Sequence, residues 1–413
     1  MASNYSMCFQ CTFKQIRRQI FRNSGRNLQH IRSLSSSAPH LQPTNISESS
    51  KAELESAHKY CVELLRKYDR PSYTLSTFIP RHTAKFYIAL HALNVSLSMI
   101  PETTSAHTIG LMRLQFWRDT ITRTLAGTPP KEPIAILLAS ALSDLDTRTQ
   151  GRAKISKGWL TRLINAREQH LTHTSYANLA SLESYSESTY STLLYLTLSA
   201  LPLTSLTADH LASHIGKAAG ITALLRGVPL IAFPPPPGHH SSQTRMGKEG
   251  PVAGESRQGS IMLPLDIMAQ AGVKEEDVFR LGADAPGLRD AVFTVATRAS
   301  DHLITARQML KNLRAGEDVG HDFEHEGEEG HEYHDSREAY QYRPDDQQAK
   351  NSSLTTQLRE VERGFGVLLP AVSTGLWLNK LQKVDFDIFE PELLSTDWRL
   401  PWKAYWAYRR REF

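Results

Sequence analysis

Cysteine is scarce in this chain, with three in 413 residues. Cys8 and Cys11 stand at the very start, so only Cys61 belongs to the body of the sequence. One thiol cannot close an internal disulfide, which fits a reducing compartment. Cys8 and Cys11 have CxxC spacing, but no second pair at zinc-ligand distance follows, so no metal is expected there. Long apolar runs are missing as well. The longest candidate, Leu193 to Leu203, is too short and is interrupted by Pro202, so no bilayer span is predicted. Neither strand-like alternation nor βαβ spacing occurs, which excludes a sheet-based fold. The net charge of +4 is small for this length, and no basic stripe marks a nucleic-acid surface.

Acidic residues are absent from Met1 to Ser47, while Lys14, Arg17, Arg18, Arg22, Arg26 and Arg32 are spread through that stretch and Ser33 to Ser37 is serine-rich. Such a basic, acid-free, serine-rich leader without an apolar h-region has the composition of a mitochondrial transit peptide, the other reading being a disordered basic tail. Removal is expected between Arg32 and Ala38. Residues 1–47 are therefore set apart from a folded region over 52–400.

What is abundant is helical periodicity. Glu53 to Tyr68, Phe86 to Ile100, Ile109 to Leu125, Ile134 to Ser143, Ser156 to Gln169, Leu182 to Leu201 and Leu288 to Leu310 all carry apolar residues at steps of three and four. Arg70 to Tyr73 and Phe78 to Arg81 are predicted as loops around their prolines. The stretch Thr207 to Phe233 is apolar on both sides, through Leu211, Ile215, Ala218, Thr222 and Leu225 on one face and Ile221, Leu224 and Val228 on the other, which places it at the centre. Thr207 is the expected N-cap, Asp209 suits the first turn, and Pro229 with Pro234 to Pro237 is expected to end the helix. Gly216, Ala218, Ala219 and Gly220 permit either a close helix contact or an open cavity. The fold class predicted is all-α, a single helical domain.

Two stretches read as insertions. Residues 234–259 are rich in proline, glycine and serine without a period, and 315–352 are acidic and histidine-rich without an apolar face. His321, His325, His331 and His334 carry metal donors, but the composition reads as a solvated insertion. The aromatic and basic tail, 401–413, has Trp402, Tyr405 and Trp406 beside Arg409, Arg410 and Arg411. With Trp398, these rings suit either a membrane headgroup region or the closing of a bundle end.

The central helix resembles that of the squalene/phytoene synthase family, whose pattern is like G-x-A-x-Q-L-T-N-I-L-R-D-V-x-x-D. Gly216, Ala218, Thr222, Leu225, Arg226 and Val228 match it, but Gly227 and Ile231 stand where the family has aspartates. The first acidic motif, resembling Y-A-F-C-R-x-x-D-D-x-x-D, aligns from Tyr87. There Asn94, Val95 and Ser98 take the aspartate positions and His91 replaces the arginine. Further matches are Arg113, Trp117, Arg118 and Asp119, then Leu263, Pro264, Asp266, Gly272, Val273, Glu276 and Asp277. The resemblance covers Tyr60 to Phe389 and implies the isoprenoid-synthase helical bundle around a central cavity.

Family members ionise prenyl diphosphates with Mg²⁺ held by aspartates of two facing helices, and such counter-charge is the main electrostatic contribution to that chemistry. The substitutions at Asn94, Val95, Ser98, Gly227 and Ile231 imply no catalytic residues, no metal and no cofactor. Glu102, Asp119 and Glu183 are the acids near enough in sequence to be replacement ligands. Arg226, with His91 and Tyr87, is the candidate for binding an anion or headgroup in the cavity, while pairing of Arg226 with Asp266 or a carbonyl is the alternative. The departures as a set (HALNVSLS, IGLMRLQFW, ASHIGKAAGI, LPLDI, VDFDIF) resemble the mitochondrial complex I assembly factor 6 family. That resemblance implies a non-catalytic factor handling complex I assembly intermediates, peripheral on the matrix side of the inner membrane, with no nucleic-acid partner. An active prenyl-diphosphate transferase and a lipid or quinone carrier are the competing expectations.

Overall fold

The computed structural model describes residues 46–104, 106–172, 174–203, 205–234, 259–317 and 344–413, and among them every regular element is helical. The leader before residue 46, most of the first insertion (235–258) and residues 318–343 with their four histidines lie outside the described residues.

Helix α1 (Ile46–Tyr68) leads into α2 (Arg70–Leu75), where the proline predicts a loop. Pro71 does not prevent a helix, because a proline in the first turn has no N–H that the helix needs, and Asp69 caps the turn by accepting from the Ser72 N–H at 3.1 Å. After a 3₁₀ turn come α3 (Arg81–Ser98), the short α4 (Ile100–Thr103), α5 (His107–Leu125), α6 (Pro133–Thr149) and α7 (Lys157–Gln169). Glu132 caps α6 by accepting from the Ala135 N–H at 2.7 Å. Helix α3 packs on α6, and α5 on α6 and α7. Arg118 of α5 binds Glu168 and, at 2.8 Å, Asn165 of α7.

The predicted helix Leu182–Leu201 is not continuous. It forms α8 (Leu179–Ser186), a π turn (Glu187–Ser191) and α9 (Thr192–Ala200). The cause is its neighbour, α10 (Leu206–Ala232), the central helix. A Cβ on Gly216 would lie 2.3 Å from Ser191 Oγ, and one on Gly220 2.5 Å from Ser186 Cβ, so the widened turn lies directly on the backbone of α10. Ser191 Oγ donates to Ser213 O at 3.1 Å, while Ser213 Oγ and the Tyr195 hydroxyl donate to Glu187. Gly216 and Gly220 serve close contact on one side and, with Ala219, also line the cavity beside α10.

Helix α10 begins at Ser205, not Thr207. Ser205 accepts from the Ala208 N–H, and Thr207 is already helical, its hydroxyl bound to Gln357. Pro229 does not end it; the helix passes through this proline to Ala232. It is long and apolar enough to cross a membrane, contrary to the expectation of no such span, yet 61% of its most apolar stretch is buried inside the fold. It is a core helix, packed against α8, the π turn, α9, α13 (Leu288–Ala315) and α15 (Pro370–Lys383). The short α11 (Leu265–Gln270) and α12 (Glu275–Leu281) precede α13. Helix α14 (Pro344–Gly364) starts inside the second stretch read as an insertion, and α16 (Leu400–Arg410) closes the chain against α2 and α15.

Candidate functional site

A cavity of about 490 Å³ opens beside α10. Its wall takes Asp69 and Ser72 from the α1–α2 junction, His91, Asn94, Val95 and Ser98 from α3, Arg167 from α7, Tyr185 from α8 and Tyr190 from the π turn. Helix α10 contributes Ala219, Ala223, Arg226, Gly227, Leu230 and Ile231, and α15 contributes Pro370, Ser373 and Thr374. The residues aligned with the two acidic motifs therefore face one common space, although they lie on helices far apart in sequence. At Gly227 the wall is open, since an added Cβ would meet only Ile231 Cδ1 at 3.7 Å.

The candidates read from the sequence are partly rearranged. His91 lines the cavity, and neither of its ring nitrogens has a hydrogen-bond partner among the described residues. Its Nδ1 is 3.8 Å from Asp69 Oδ2, beyond hydrogen-bond length. Tyr87 is not on the wall. It is buried behind His91, ring centroids 4.1 Å apart, with its hydroxyl donating to Ser72 O, because its position on α3 points into the core. Arg226 lines the cavity but does not pair with Asp266, whose oxygens accept from the Ile267 and Leu179 N–H groups. The Arg226 guanidinium lies over the Trp377 ring at 5.4 Å, and its Nε is buried without a partner. Of the acids proposed as replacement ligands, Glu102 reaches the exposed rim of the cavity. Asp119 accepts from Gln115 one turn away, and Glu183 is held by Arg298 and His302 outside the cavity wall.

Sequence reasoning missed Arg167, His170 and the tyrosine cluster. Arg167 donates from Nη2 to Asn94 Oδ1 at 2.8 Å and from Nη1 to the Tyr185 hydroxyl at 2.6 Å. The signal was present: Leu160, Leu163 and Ile164 form the buried face of α7, and Arg167 continues that face at the next three-or-four step. A charge on a core stripe marks a lined cavity or a buried pair. Tyr185 fell on an apolar stripe and passed for core.

Two arginines, Arg167 and Arg226, and two carboxylates, Asp69 and Glu102, stand on the wall. Burial pulls the Arg226 guanidinium below its ordinary value, only partly offset by Tyr190 and Asp69. Burial, with the charge of Arg167, also pulls His170 down and keeps it neutral at pH 7. Burial pushes Asp69 up, but His91 and Ser72 outweigh it and hold the carboxyl below its usual range. Burial pushes the Tyr87, Tyr176 and Tyr190 hydroxyls up, so all three stay protonated.

The family resemblance implies Mg²⁺, which takes near-octahedral oxygen ligation from carboxylates, water and phosphate. The carboxylates on this wall are Asp69, committed to Ser72, and Glu102 on the rim. Among the described residues no three His, Cys, Asp or Glu side chains converge. This donor set does not fit a Mg²⁺ cluster.

The sequence model for squalene/phytoene synthase matches residues 65–230 and 251–319 of the chain. The chain is 32% identical over 368 residues to a Rattus norvegicus protein named NADH dehydrogenase (ubiquinone) complex I, assembly factor 6, covering 89% of this chain and 86% of that one. The Homo sapiens protein of the same name is 32% identical over 346 residues, covering 84% and 80%. A Drosophila melanogaster protein named as its homolog is 30% identical over 352 residues, covering 84% and 82%. Among solved structures, squalene synthase HpnC from Alicyclobacillus acidocaldarius superposes with a TM-score of 0.52 at 14% identity, covering 81% of this chain and 97% of that one. A dehydrosqualene synthase in complex with ligand gives 0.56 at 12% identity, covering 88% and 99%. These two likenesses are of fold.

Proposed function

The chain belongs to the squalene/phytoene synthase family, and from that premise we propose that it is a non-catalytic assembly factor for mitochondrial respiratory complex I. The relatives at 30–32% identity, named for complex I assembly, support the assembly role. One observation carries the non-catalytic part. Where the family places Mg²⁺-binding aspartates, Asn94 is engaged by Arg167, and Gly227 leaves the opposite wall without a side chain. A diphosphate leaving group needs concentrated positive charge that strengthens as the bond breaks, and a cavity without metal ligands does not supply it in the family's way.

Mitochondrial residence is supported by the names of the relatives and by the acid-free basic start of the sequence. The finer placement, peripheral on the matrix side of the inner membrane, is supported by α16. Leu400, Ala404 and Ala407 bury one face of this helix, whereas Trp402, Tyr405 and Trp406 stay 66%, 46% and 54% exposed beside Lys403, Arg409 and Arg410. The rings do not seal the bundle. An amphipathic helix with aromatic and cationic residues outward suits the headgroup layer of an anionic bilayer.

Incubation of the purified chain with farnesyl or geranylgeranyl diphosphate and Mg²⁺ tests the absence of catalysis. No diphosphate release is expected; release at enzyme-like rates would overturn the reading.

A further inference from the structure

Helix α13 carries a basic row well away from the residues of the cavity beside α10. Ile304, Arg307, Lys311 and Arg314 follow one another at steps of three and four, so they share one face, and Ile304 is 57% exposed. No acid interrupts the run from Ile304 to Ala315; Asp301 and Glu317 flank it. The last residues of the chain are tied to this face. Arg314 donates from Nη2 to Arg410 O at 3.0 Å and from Nη1 to Glu412 Oε1 at 2.9 Å, and Arg307 donates from Nε to Phe413 O at 2.9 Å. Between them lies a second pocket, of about 270 Å³, walled by the three cations with Leu310, Glu412 and Phe413. Its anions are Glu412 and the main-chain oxygen end of Phe413, and an arginine already engages each. Lys311 is exposed and makes no hydrogen bond or ion pair with any described residue. The volume suits a phosphate with its glycerol and is too small for acyl chains. Helix α16 leads into the same place: its exposed Trp402, Tyr405 and Trp406 precede the exposed Arg409 and Arg410, so aromatic surface passes directly into cationic surface. An anionic bilayer offers the matching order, an apolar layer for the rings and phosphates above it for the cations.

We propose that the pocket between α13 and the end of α16 seats the phosphate of an anionic phospholipid, while the rings of α16 enter the same leaflet. Arg307 and Arg314 hold the end of the chain in place and contribute charge; Lys311 is the donor left over for the ligand. That role rests on the membrane contact of α16 and adds to it which lipids are selected and where the headgroup sits.

Flotation of the whole chain with phosphatidylcholine vesicles, with and without phosphatidylglycerol and at constant salt, tests it. The chain is expected to bind more tightly when phosphatidylglycerol is present. Lys311→Gln is expected to weaken that binding about fivefold, the worth of one cation near such a surface, and Lys311→Glu to weaken it further. Both variants are expected to melt with the parent chain, because the side chain is exposed and unpaired. Lys157→Glu makes the same change of net charge on α7, which packs on α5 and the π turn, and is expected to weaken binding by less than about twofold. Undiminished binding by Lys311→Glu, or an equal loss from Lys157→Glu, would overturn the pocket and leave the α16 contact standing. Equal binding to phosphatidylcholine alone would overturn the selection of an anionic lipid. A parent chain that floats with neither vesicle would overturn the membrane contact itself, and the pocket with it.

Discussion

Arg167 donates to Asn94 across 2.8 Å, joining α7 to α3 at the position where the family pattern has its first aspartate. A guanidinium that would bind a carboxylate in two-pronged fashion binds a neutral amide instead. The amide carries no charge, so this contact holds Arg167 in place without neutralising it.

Restoring the acid at this point does not restore a metal site. Asn94→Asp is expected to form an ion pair with Arg167, stabilising the fold by about 1 kcal/mol and raising the melting temperature by about 2 °C. Scanning calorimetry reads the stability, and titration with Mg²⁺ is expected to give no heat. Micromolar Mg²⁺ binding by this variant would show that the wall lacks one ligand only.

The glycines of α10 divide by position. Gly216→Ala would drive a Cβ to within 2.4 Å of the Ser191 backbone and is expected to cost about 3 kcal/mol or prevent folding. Gly227→Ala, with its nearest contact at 3.7 Å, is expected to stay within about 0.5 kcal/mol of the parent. Equal urea midpoints for the two variants would contradict this packing.

Away from the cavity, a buried polar chain ties α8 to α13 and α10. Glu183 meets Arg298 and, at 3.0 Å, His302 Nε2, and His302 Nδ1 lies 3.0 Å from His214 Nδ1. Burial pushes Glu183 up, but His302 and Arg298 outweigh it and hold the carboxyl at about 2, down from 4.5. A depressed carboxyl stabilises the fold above its unfolded value of 4.5, and that contribution is lost as pH falls toward 2. Glu183→Gln is expected to lower stability at pH 7 by about 2 kcal/mol, after allowing for screening, and to flatten the acid limb between those values. Denaturant titrations at a series of pH values check both.

Helix α16 gives a surface prediction. Trp402→Ser with Trp406→Ser is expected to leave the melting temperature nearly unchanged, because both rings are mainly exposed, and to abolish flotation with anionic vesicles. Unchanged flotation would remove this helix from the membrane contact.

Helix content and the central place of α10 were legible because apolar residues at helical steps report burial directly. Boundaries were less so. Ser205 rather than Thr207 caps α10, and Pro229 lies within it, because packing on every side holds a helix that loses one N–H. The π turn at Glu187 was illegible, since it answers to glycines of another helix. In the site, the positions of Asn94, Gly227 and Arg226 followed from motif alignment. The partner of Asn94 did not, because Arg167 is 73 residues away and only the fold brings them together.

The most direct test of the account is the amount of assembled complex I, read by blue-native separation, in cells deleted for this chain and in deleted cells supplied with it again. The account predicts loss of the assembled complex on deletion, with the other respiratory complexes intact, and recovery on resupply without any prenyl product formed. Normal complex I in the deleted cells would contradict it.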